Sequence, residues 1–429
     1  MSIPAPMTDP AVAEAHQALA DRTPVVLLIG RAGTGKSHFI RSLVERDPTY
    51  PQALLAPTGL AAMNIGGQTV HSFFGFPPRP LIGNAEKPSW FFTRTARAIS
   101  RLIVDEVSML RADVLDAMNQ HLQIARKSSR PFGGVQMLLV GDFYQLPPVV
   151  RGDEGRLLED AGYATPYAFS AHCLRDAPLA AVQLTEVHRQ TNQDFIAILS
   201  SIRERCGVED AVTILNTVCL DRALPKRPVL LCATNAVADN YNARGLAALE
   251  GAAARYTGGF EGEAPKAQGD RFPAPMELVL KRGARVIFTQ NDPEGRWVNG
   301  SLGTVKSLDD EVIVVVLDAG DEVDVERATW PQARWTWNAK ENRMEVKEEF
   351  KYVQFPLAPA WALTIHKAQG MTLDSVEIDL GRGAFAPGQT YVALSRARSM
   401  ETLRLTRPLS PRDVQVDPAI AEGLERLGV

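Results

Sequence analysis

The residues of this 429-residue chain best suited to chemistry stand in "GRAGTGKS", positions 30–37. Gly30 and Gly35 bracket Arg31, Ala32, Gly33 and Thr34, and Lys36 and Ser37 follow, which is the spacing G-x-x-x-x-G-K-[ST]. The glycines let the backbone curl so that its N–H groups face phosphate oxygens, and a helix starting behind them adds a favourable dipole. Lys36 supplies a charge for the β and γ phosphates, and the Ser37 hydroxyl completes a Mg²⁺ ligand set. A chance glycine-rich turn would not need an apolar run before it, "PVVLLIG" (24–30), and a helical stretch after it, "KSHFIRSLVER" (36–46). Such a loop holds ATP or GTP. A second element decides what the phosphate is for. In "LIVDE", Asp105 is placed to hold the Mg²⁺, and Glu106 to orient and deprotonate an attacking water. A kinase would pass the phosphoryl group to a substrate hydroxyl; a carboxylate beside the metal-binding Asp suits hydrolysis.

Composition sets the frame for these residues. The chain has room for two or three domains, and 45% hydrophobic and 22% charged residues are ordinary for a globular protein. No apolar run approaches the ~18 residues of a membrane span, and "MSIPAPMTDPAV" has no basic start followed by an apolar stretch, so a cytoplasmic location is expected. The four cysteines (173, 206, 219, 232) are far apart, which suggests buried free thiols rather than a disulfide frame or a zinc site. Lys and Arg number 46 against 50 Asp and Glu, net −4, so bulk charge does not make this a coat for nucleic acid. One window differs. "NAEKPSWFFTRTARAISR" (84–101) carries Lys87, Arg94, Arg97 and Arg101 against Glu86 alone, with Trp90, Phe91 and Phe92 among them. Cations with interleaved aromatics suit single strands; an amphipathic segment with its rings in the core is the other reading.

The elements that must position these residues follow an α/β rhythm over the first 186 residues. Strand-like runs at 52–57, 101–106, 135–142 and 181–186 alternate with helical stretches such as 110–123, where Leu115, Met118 and Leu122 share a face. Continuous apolar strands separated by helices predict a parallel sheet covered on both sides. The pattern restarts with a helix at 194–205 and a buried strand at 227–234. Between 281 and 357 it gives way to short strands and tight turns, with Asp318–Asp321 as a hairpin tip. It then returns with a strand at 375–381, a helix at 388–397 and a strand at 402–407.

From about residue 24 to 407 the chain resembles the superfamily 1 DNA helicases of the petite integration frequency (Pif) type. Six stretches carry the resemblance in order: "APTGLAAMNIGGQTVHSFFGF" (56–76), "PFGGVQMLLVGDFYQLPPV" (131–149), "LTEVHRQ" (184–190), "ALTIHKAQGMTLDSV" (362–376) and "YVALSRAR" (391–398), together with the phosphate loop. The resemblance implies two tandem RecA-like P-loop lobes with parallel sheets and a small all-β, SH3-like insertion in the second. The first lobe would span 1–186, with a small wedge-like insertion at about 75–100. The second would span 187–280 and 358–429, and the insertion 281–357.

The resemblance also implies roles. Gln145 would sense the γ-phosphate, Arg189 and Arg396 would be arginine fingers, and Gly370 would join the nucleotide site. Strand contacts would come from Pro57, Thr58, Gly59, Asn64, Thr69, His71, Ser72, Phe73, Thr234, Asn235, Thr364 and His366, with Asn299 and Gly300 in the insertion turn "GRWVNGSLGTV" (295–305). The usual adenine-reading glutamine upstream of the phosphate loop has no clear counterpart; Gln17 is the nearby candidate and sits closer to Gly30 than the pattern asks. The implied activity is ATP- and Mg²⁺-dependent 5′-to-3′ movement on single-stranded DNA that opens forked duplex or G-quadruplex DNA, with a monomer translocating. A translocase that strips proteins without separating strands is the rival reading, and a nucleotide-gated binder would not need Glu106, Gln145 and two arginines.

Overall fold

The computed structural model describes residues 9–77, 79–83, 87–224, 227–262, 272–338 and 343–429. Glu86, parts of the expected segments 75–100 and 281–357, and the first eight residues lie outside these. The chain divides into two compact units. One holds Met1–Arg189, Ala333–Lys347 and Val416–Val429; the other holds Gln190–Gln332 and Glu348–Gln415. The first break therefore falls after Arg189 rather than after 186.

In the first unit, helix α1 (Pro10–Ala20) leads into β1 (Val25–Gly30), α2 (Lys36–Arg46), β2 (Gln52–Ala56), α3 (Gly59–Asn64), β3 (Gln68–Thr69), α4 (Val70–Phe74), α5 (Trp90–Ala98), β4 (Arg101–Val104), α6 (Ala112–Arg126), β5 (Gln136–Gly141), α7 (Glu154–Asp160) and β6 (Leu179–Leu184). The strands form one parallel sheet in the order β3-β2-β4-β5-β1-β6. Alternation along β1 builds two cores. Val25, Leu27 and Ile29 pack with Leu102, Val104, Met137, Leu139 and the α6 residues Leu115, Met118 and Leu122. Val26 and Leu28 pack on the other face with Phe39, Ile40, Leu43, Leu138 and Val140. Each such burial contributes roughly 1.5–3 kcal/mol, so the strand ends that carry the chemistry rest on a rigid base. Asp9 fixes the periphery: it caps α1 through Ala11 N–H at 3.0 Å and accepts the Thr185 and Glu186 amides at 2.6 and 3.0 Å, holding the exit of β6.

In the second unit, α8 (Gln193–Glu204), α9 (Val208–Cys219), β7 (Val229–Cys232) and α10 (Asn235–Ala247) precede a β-rich stretch. That stretch runs through β8 (Ala254–Thr257), β9 (Gly259–Gly262), β10 (Glu277–Leu280), β11 (Arg285–Phe288), β12 (Leu302–Leu308), β13 (Val312–Leu317), β14 (Glu322–Glu326), β15 (Ala328–Asn338), β16 (Arg343–Gln354) and β17 (Leu357–Pro359), with Ala333–Lys347 of β15 and β16 counted in the first unit. The α/β pattern closes with β18 (Ala362–Thr364), β19 (Val376–Asp379), α11 (Gln389–Leu394) and β20 (Leu403–Leu405). The strands β18-β7-β19-β20 make a second parallel sheet. The antiparallel sheet β14-β13-β12-β11-β17 carries its own core of Val286, Phe288, Val305, Ile313, Val315 and Val325. Two parallel α/β lobes with a small all-β insertion in the second is thus the observed architecture. The β structure begins at Ala254 rather than at 281, because β8 pairs with β10 and β9 with β16. The thiols also differ from expectation: Cys219 and Cys232 are buried, whereas Cys173 is half-buried and Cys206 exposed.

Candidate active site

The phosphate loop sits at the end of β1, between β5 and β6 in the sheet. Two of its glycines are required by geometry. A Cβ on Gly30 would lie 2.5 Å from Thr34 Oγ1 and 3.1 Å from Leu184, and Gly35 (φ 86°) takes the left-handed conformation that starts α2 without a side-chain cap. The first amides of α2 are thereby left for a ligand. The Thr34 hydroxyl donates to Arg31 O at 2.9 Å and fixes the loop from within. The half-buried Lys36 donates from Nζ to the carbonyls of Gly30 (2.7 Å) and Arg31 (2.9 Å). Burial pushes its pKa down, the carboxylates of Asp142, Glu106 and Asp105 oppose that shift, and Arg189 adds to it. One lysine thus lies within the fields of three carboxylates and a guanidinium.

Asp105 and Glu106 leave the end of β4 on a strained turn. Glu106 has φ 52° and ψ 46°, a left-handed conformation that is uncommon outside glycine, and its amide donates to Asp105 Oδ1 at 2.9 Å. Burial and the neighbouring Glu106 charge push Asp105 up to about 7, against the Glu106 amide and Lys36, which pull it down. A buried carboxylate in that setting is well matched to a divalent cation. With the exposed Ser37 hydroxyl it offers two hard oxygen donors that would suit Mg²⁺ brought in with a nucleotide.

Asp142 was missed by the sequence reading although it stands inside "VGDFYQ". It is fully buried at the end of β5, and its carboxylate accepts from Gln145 Nε2 at 3.4 Å and from the Tyr144 amide at 3.3 Å. It therefore links Gln145 to the charge field of Lys36. The signal was a lone acid directly after an apolar strand adjoining β1. Gln190 was also missed. Buried in the second unit, its Nε2 donates to Ser395 O (3.2 Å) and Ala397 O (2.8 Å), the carbonyls on either side of Arg396.

The two arginines have different surroundings. Arg189 closes the first unit beside His188, whose amide donates to Gly33 O of the phosphate loop at 2.8 Å. Arg396 is 1% exposed inside the second unit. Its guanidinium donates to Val392 O (2.9 Å), Met371 O (3.1 Å), Ala368 O (3.4 Å) and Ser395 Oγ (2.8 Å). Gly370, with φ 80°, lies in the turn that Arg396 holds.

The expected strand contacts share one local design. Thr58, Thr69, Thr234 and Thr364 each stand at or just past the end of a parallel strand. Each Oγ1 accepts a backbone amide three residues on: Ala61 at 3.3 Å, Ser72 at 3.2 Å, Val237 at 3.4 Å and Lys367 at 3.3 Å. A hydroxyl that accepts in this way has its own proton left to donate. Pro57 and Gly59 flank the first threonine, the exposed Asn64 ends α3, the exposed Ser72 follows the second, and the exposed Asn235 opens α10. His71 and His366 are half-buried, and burial pushes both imidazoles below their usual value. Asn299 and Gly300 (φ 91°) stand in the turn before β12, where the Asn299 amide donates to Asn291 Oδ1 at 2.7 Å. Phe73 is corrected: it is 6% exposed, edge-on to Phe74 and Phe92, and belongs to the core rather than to a strand-facing surface. Gln17 is exposed and donates to Asp21 at 2.7 Å, so α1 turns it away from the role of an adenine reader.

Residues 11–206 match the model of the PIF1-like helicase family. The chain is 34% identical over 403 residues to the ATP-dependent DNA helicase Pif1 of Bdellovibrio bacteriovorus, covering 92% of this chain and 87% of that protein. The chain belongs to the Pif1 family of ATP-dependent DNA helicases. It is 33% identical to human PIF1 over 92% of its own length, but spans only 60% of that longer protein. The structure of Bacteroides sp. Pif1 in complex with ADP-AlF4 superposes with a TM-score of 0.88 at 33% identity, covering 97% of this chain and 96% of the other. A Pif1-family enzyme hydrolyses ATP to separate DNA strands.

Proposed function

We propose that this helicase moves 5′-to-3′ along single-stranded DNA, hydrolysing Mg²⁺-ATP at the phosphate loop, and thereby opens forked duplex and folded G-rich DNA. The observation that supports strand tracking best is the repeated threonine cap. Thr58, Thr69 and Thr234 offer accessible, oriented hydroxyls of the kind that bind phosphates without reading bases, and Thr364, 4% exposed, repeats the same cap from a buried position. Support for direction comes from the order and identity of the Pif-type motifs. Bacteroides Pif1 has been crystallised bound to single-stranded DNA, and another solved Pif1 structure concerns unwinding at forked duplex by two coordinating helicases. A single chain is proposed as the moving unit here, and the dependence of fork opening on protein concentration distinguishes one copy from two. We propose a second lobe of 190–253 with 358–415, and an insertion that begins at Ala254 rather than 281 and runs to 357.

In the proposed mechanism Lys36 and the α2 amides bind the β and γ phosphates. Ser37 and Asp105 would hold Mg²⁺, which supplies neutralisation of phosphate charge. Glu106 accepts a proton from the attacking water, its carboxylate aimed by the left-handed turn. Gln145, tied to Asp142, reports the γ-phosphate, and Arg189 neutralises charge in the transition state. Arg396 is assigned as the second finger; to reach a phosphate it must exchange its bonds to Ala368 and Met371, in the turn that follows Thr364 and His366.

The test uses duplexes with one single-stranded tail. A 5′-tailed duplex should open with ATP and a 3′-tailed one should not, and ATPase turnover should rise strongly with an unstructured oligonucleotide. Preferential opening of the 3′-tailed substrate would sink the proposed direction, and an ATPase rate indifferent to DNA would sink strand-coupled movement.

A further inference from the structure

Helix α5 divides the aromatic window of the sequence into two faces. Phe92 turns inward at 4% exposure and packs on the α4 rings Phe73 (5.9 Å between centroids) and Phe74 (4.9 Å). Trp90 and Phe91 turn outward, each 62% exposed, with their rings edge-to-face at 5.1 Å. Exposed large rings in adjacent positions are uncommon on a protein surface. The Arg94 guanidinium lies 4.8 Å above the Trp90 ring, and Lys87 and Arg97 are exposed on the same segment. Residues 87–104 contain no Asp or Glu, and Glu86 is the one acid in the window around the rings. The helix is anchored as well as charged. Ser89 caps it through Phe92 N–H at 3.1 Å, Arg97 Nε donates to Ala125 O at 2.9 Å, and Phe92 bolts it to α4, the helix that carries His71 and Ser72.

We propose that Trp90 and Phe91 form a stacking platform for an unpaired nucleobase of the DNA substrate, with Lys87 and Arg94 receiving the adjoining phosphates. The platform rests on the strand-binding reading above and adds a contact outside the threonine caps. Charge decides between occupants: a neutral apolar partner gains nothing from a face of three cations, whereas a base with its phosphates uses the rings and the cations together. Rigid attachment of α5 to α4 gives the platform a fixed distance from the proposed strand path, so it engages one nucleotide position rather than any.

The experiment measures binding of the full chain to a labelled forked oligonucleotide by fluorescence anisotropy, with variants Trp90→Ala, Trp90→Leu, Trp90→Phe and Phe91→Ala. Phe385→Ala, an equally exposed ring at 60% in the second unit, serves as a control for exposed aromatics in general. Trp90→Ala and Trp90→Leu should weaken binding by about five- to a hundredfold, and Trp90→Phe should retain most of the affinity. Abasic substitution, moved one nucleotide at a time along the fork, should reproduce that loss at one position in the parent and add nothing to Trp90→Ala. Equal affinity of Trp90→Leu and Trp90→Phe, or abasic effects independent of position, would overturn the stacking platform. Concentration-dependent self-association that Trp90→Ala abolishes without changing DNA affinity would assign the face to a second copy of the chain, and would overturn it too. A parent that fails to bind the oligonucleotide at all would instead strike at the strand-binding reading itself.

Discussion

Substituting Glu106 with Gln removes a negative charge and the capacity to take a proton while preserving side-chain length. General-base assistance contributes about 10²–10⁴ in rate, or about 3–5 kcal/mol of barrier, so turnover should fall by that factor. Nucleotide affinity should change little, because Lys36, the α2 amides and Ser37 remain. The Glu106 charge holds Asp105 up towards 7, so its loss should ease the crowding at the end of β4 and leave the variant at least as stable as the parent. The backbone supplies an independent reading. At φ 52° and ψ 46° a residue with a Cβ carries roughly 1–2 kcal/mol of strain. Glu106→Gly should therefore be more stable than Glu106→Ala by about 1 kcal/mol, a melting difference of roughly 2–4 °C for a lobe of this size. The assays are single-turnover hydrolysis, equilibrium binding of a fluorescent nucleotide, and thermal unfolding. Hydrolysis by Glu106→Gln near the parent rate refutes the assignment of the base, and an alanine variant more stable than glycine refutes the strained turn.

Three further outcomes follow from the same geometry. Arg189→Ala should cut DNA-stimulated turnover by about 10³-fold or more with little change in melting temperature, whereas Arg396→Ala should also destabilise the second unit, since it strips donors from the buried carbonyls of Ala368, Met371 and Val392; equal melting temperatures for the two variants would contradict the burial of Arg396. Gln190→Ala should leave the Ser395 and Ala397 carbonyls unsatisfied, costing about 1–3 kcal/mol, and should lower maximal turnover more than DNA affinity, as steady-state ATPase titrations would show; a variant with parental turnover would mean the amide positions nothing. Burial depresses the pKa of His71 and His366, so in the folded protein their neutral forms are favoured, and the stability they contribute is present above the unfolded value and lost as pH falls through it. A phosphate beside either ring favours the protonated form, so oligonucleotide affinity should rise as pH falls from 7 towards 5.5, by at most about tenfold per histidine per pH unit; Gln at both positions should flatten the profile, and an unflattened profile removes the histidines from the strand path.

What the sequence made legible was local. The phosphate loop, α2 and the β13–β14 turn at Asp318–Asp321 are set by neighbours within a few residues, and the structure places them where spacing and periodicity put them. What it hid depends on pairing across long separations. The β structure of 254–280 was not foreseen: β9 finds its partner in β16, far along the chain, which no local pattern displays. Arg101, counted with the basic window, is 8% exposed and bound to Gln52 and Gln136 of the neighbouring strands, a satisfaction no linear pattern displays. The same limit explains Asp142 and Gln190: one acid after a strand and one amide after an arginine have no period. Aromatic residues show it most sharply, since "SFF" and "WFF" look alike, yet Phe73, Phe74 and Phe92 fill one core while Trp90 and Phe91 face solvent.

As the second finger proposed above, Arg396 would couple the state of the nucleotide to the 364–371 turn of its own unit. Its guanidinium bonds the Ala368 and Met371 carbonyls, and Ala368 is itself held by its amide on Thr364 O at 3.0 Å. Thr364 caps Lys367, and His366 O accepts the Gln369 amide at 3.2 Å. Every proposed strand contact in that turn is thus within two hydrogen bonds of the arginine. Gln190 holds the carbonyls on either side of it, which fixes the Arg396 backbone independently of the bonds its side chain makes. A γ-phosphate would compete for that guanidinium with carbonyl oxygens that carry only partial charge, offering a full negative charge and the planar, bidentate geometry that arginine matches. Drawing Arg396 onto the phosphate would therefore release the 368–371 turn, and hydrolysis would return it. In this scheme grip on the strand alternates with the state of the nucleotide.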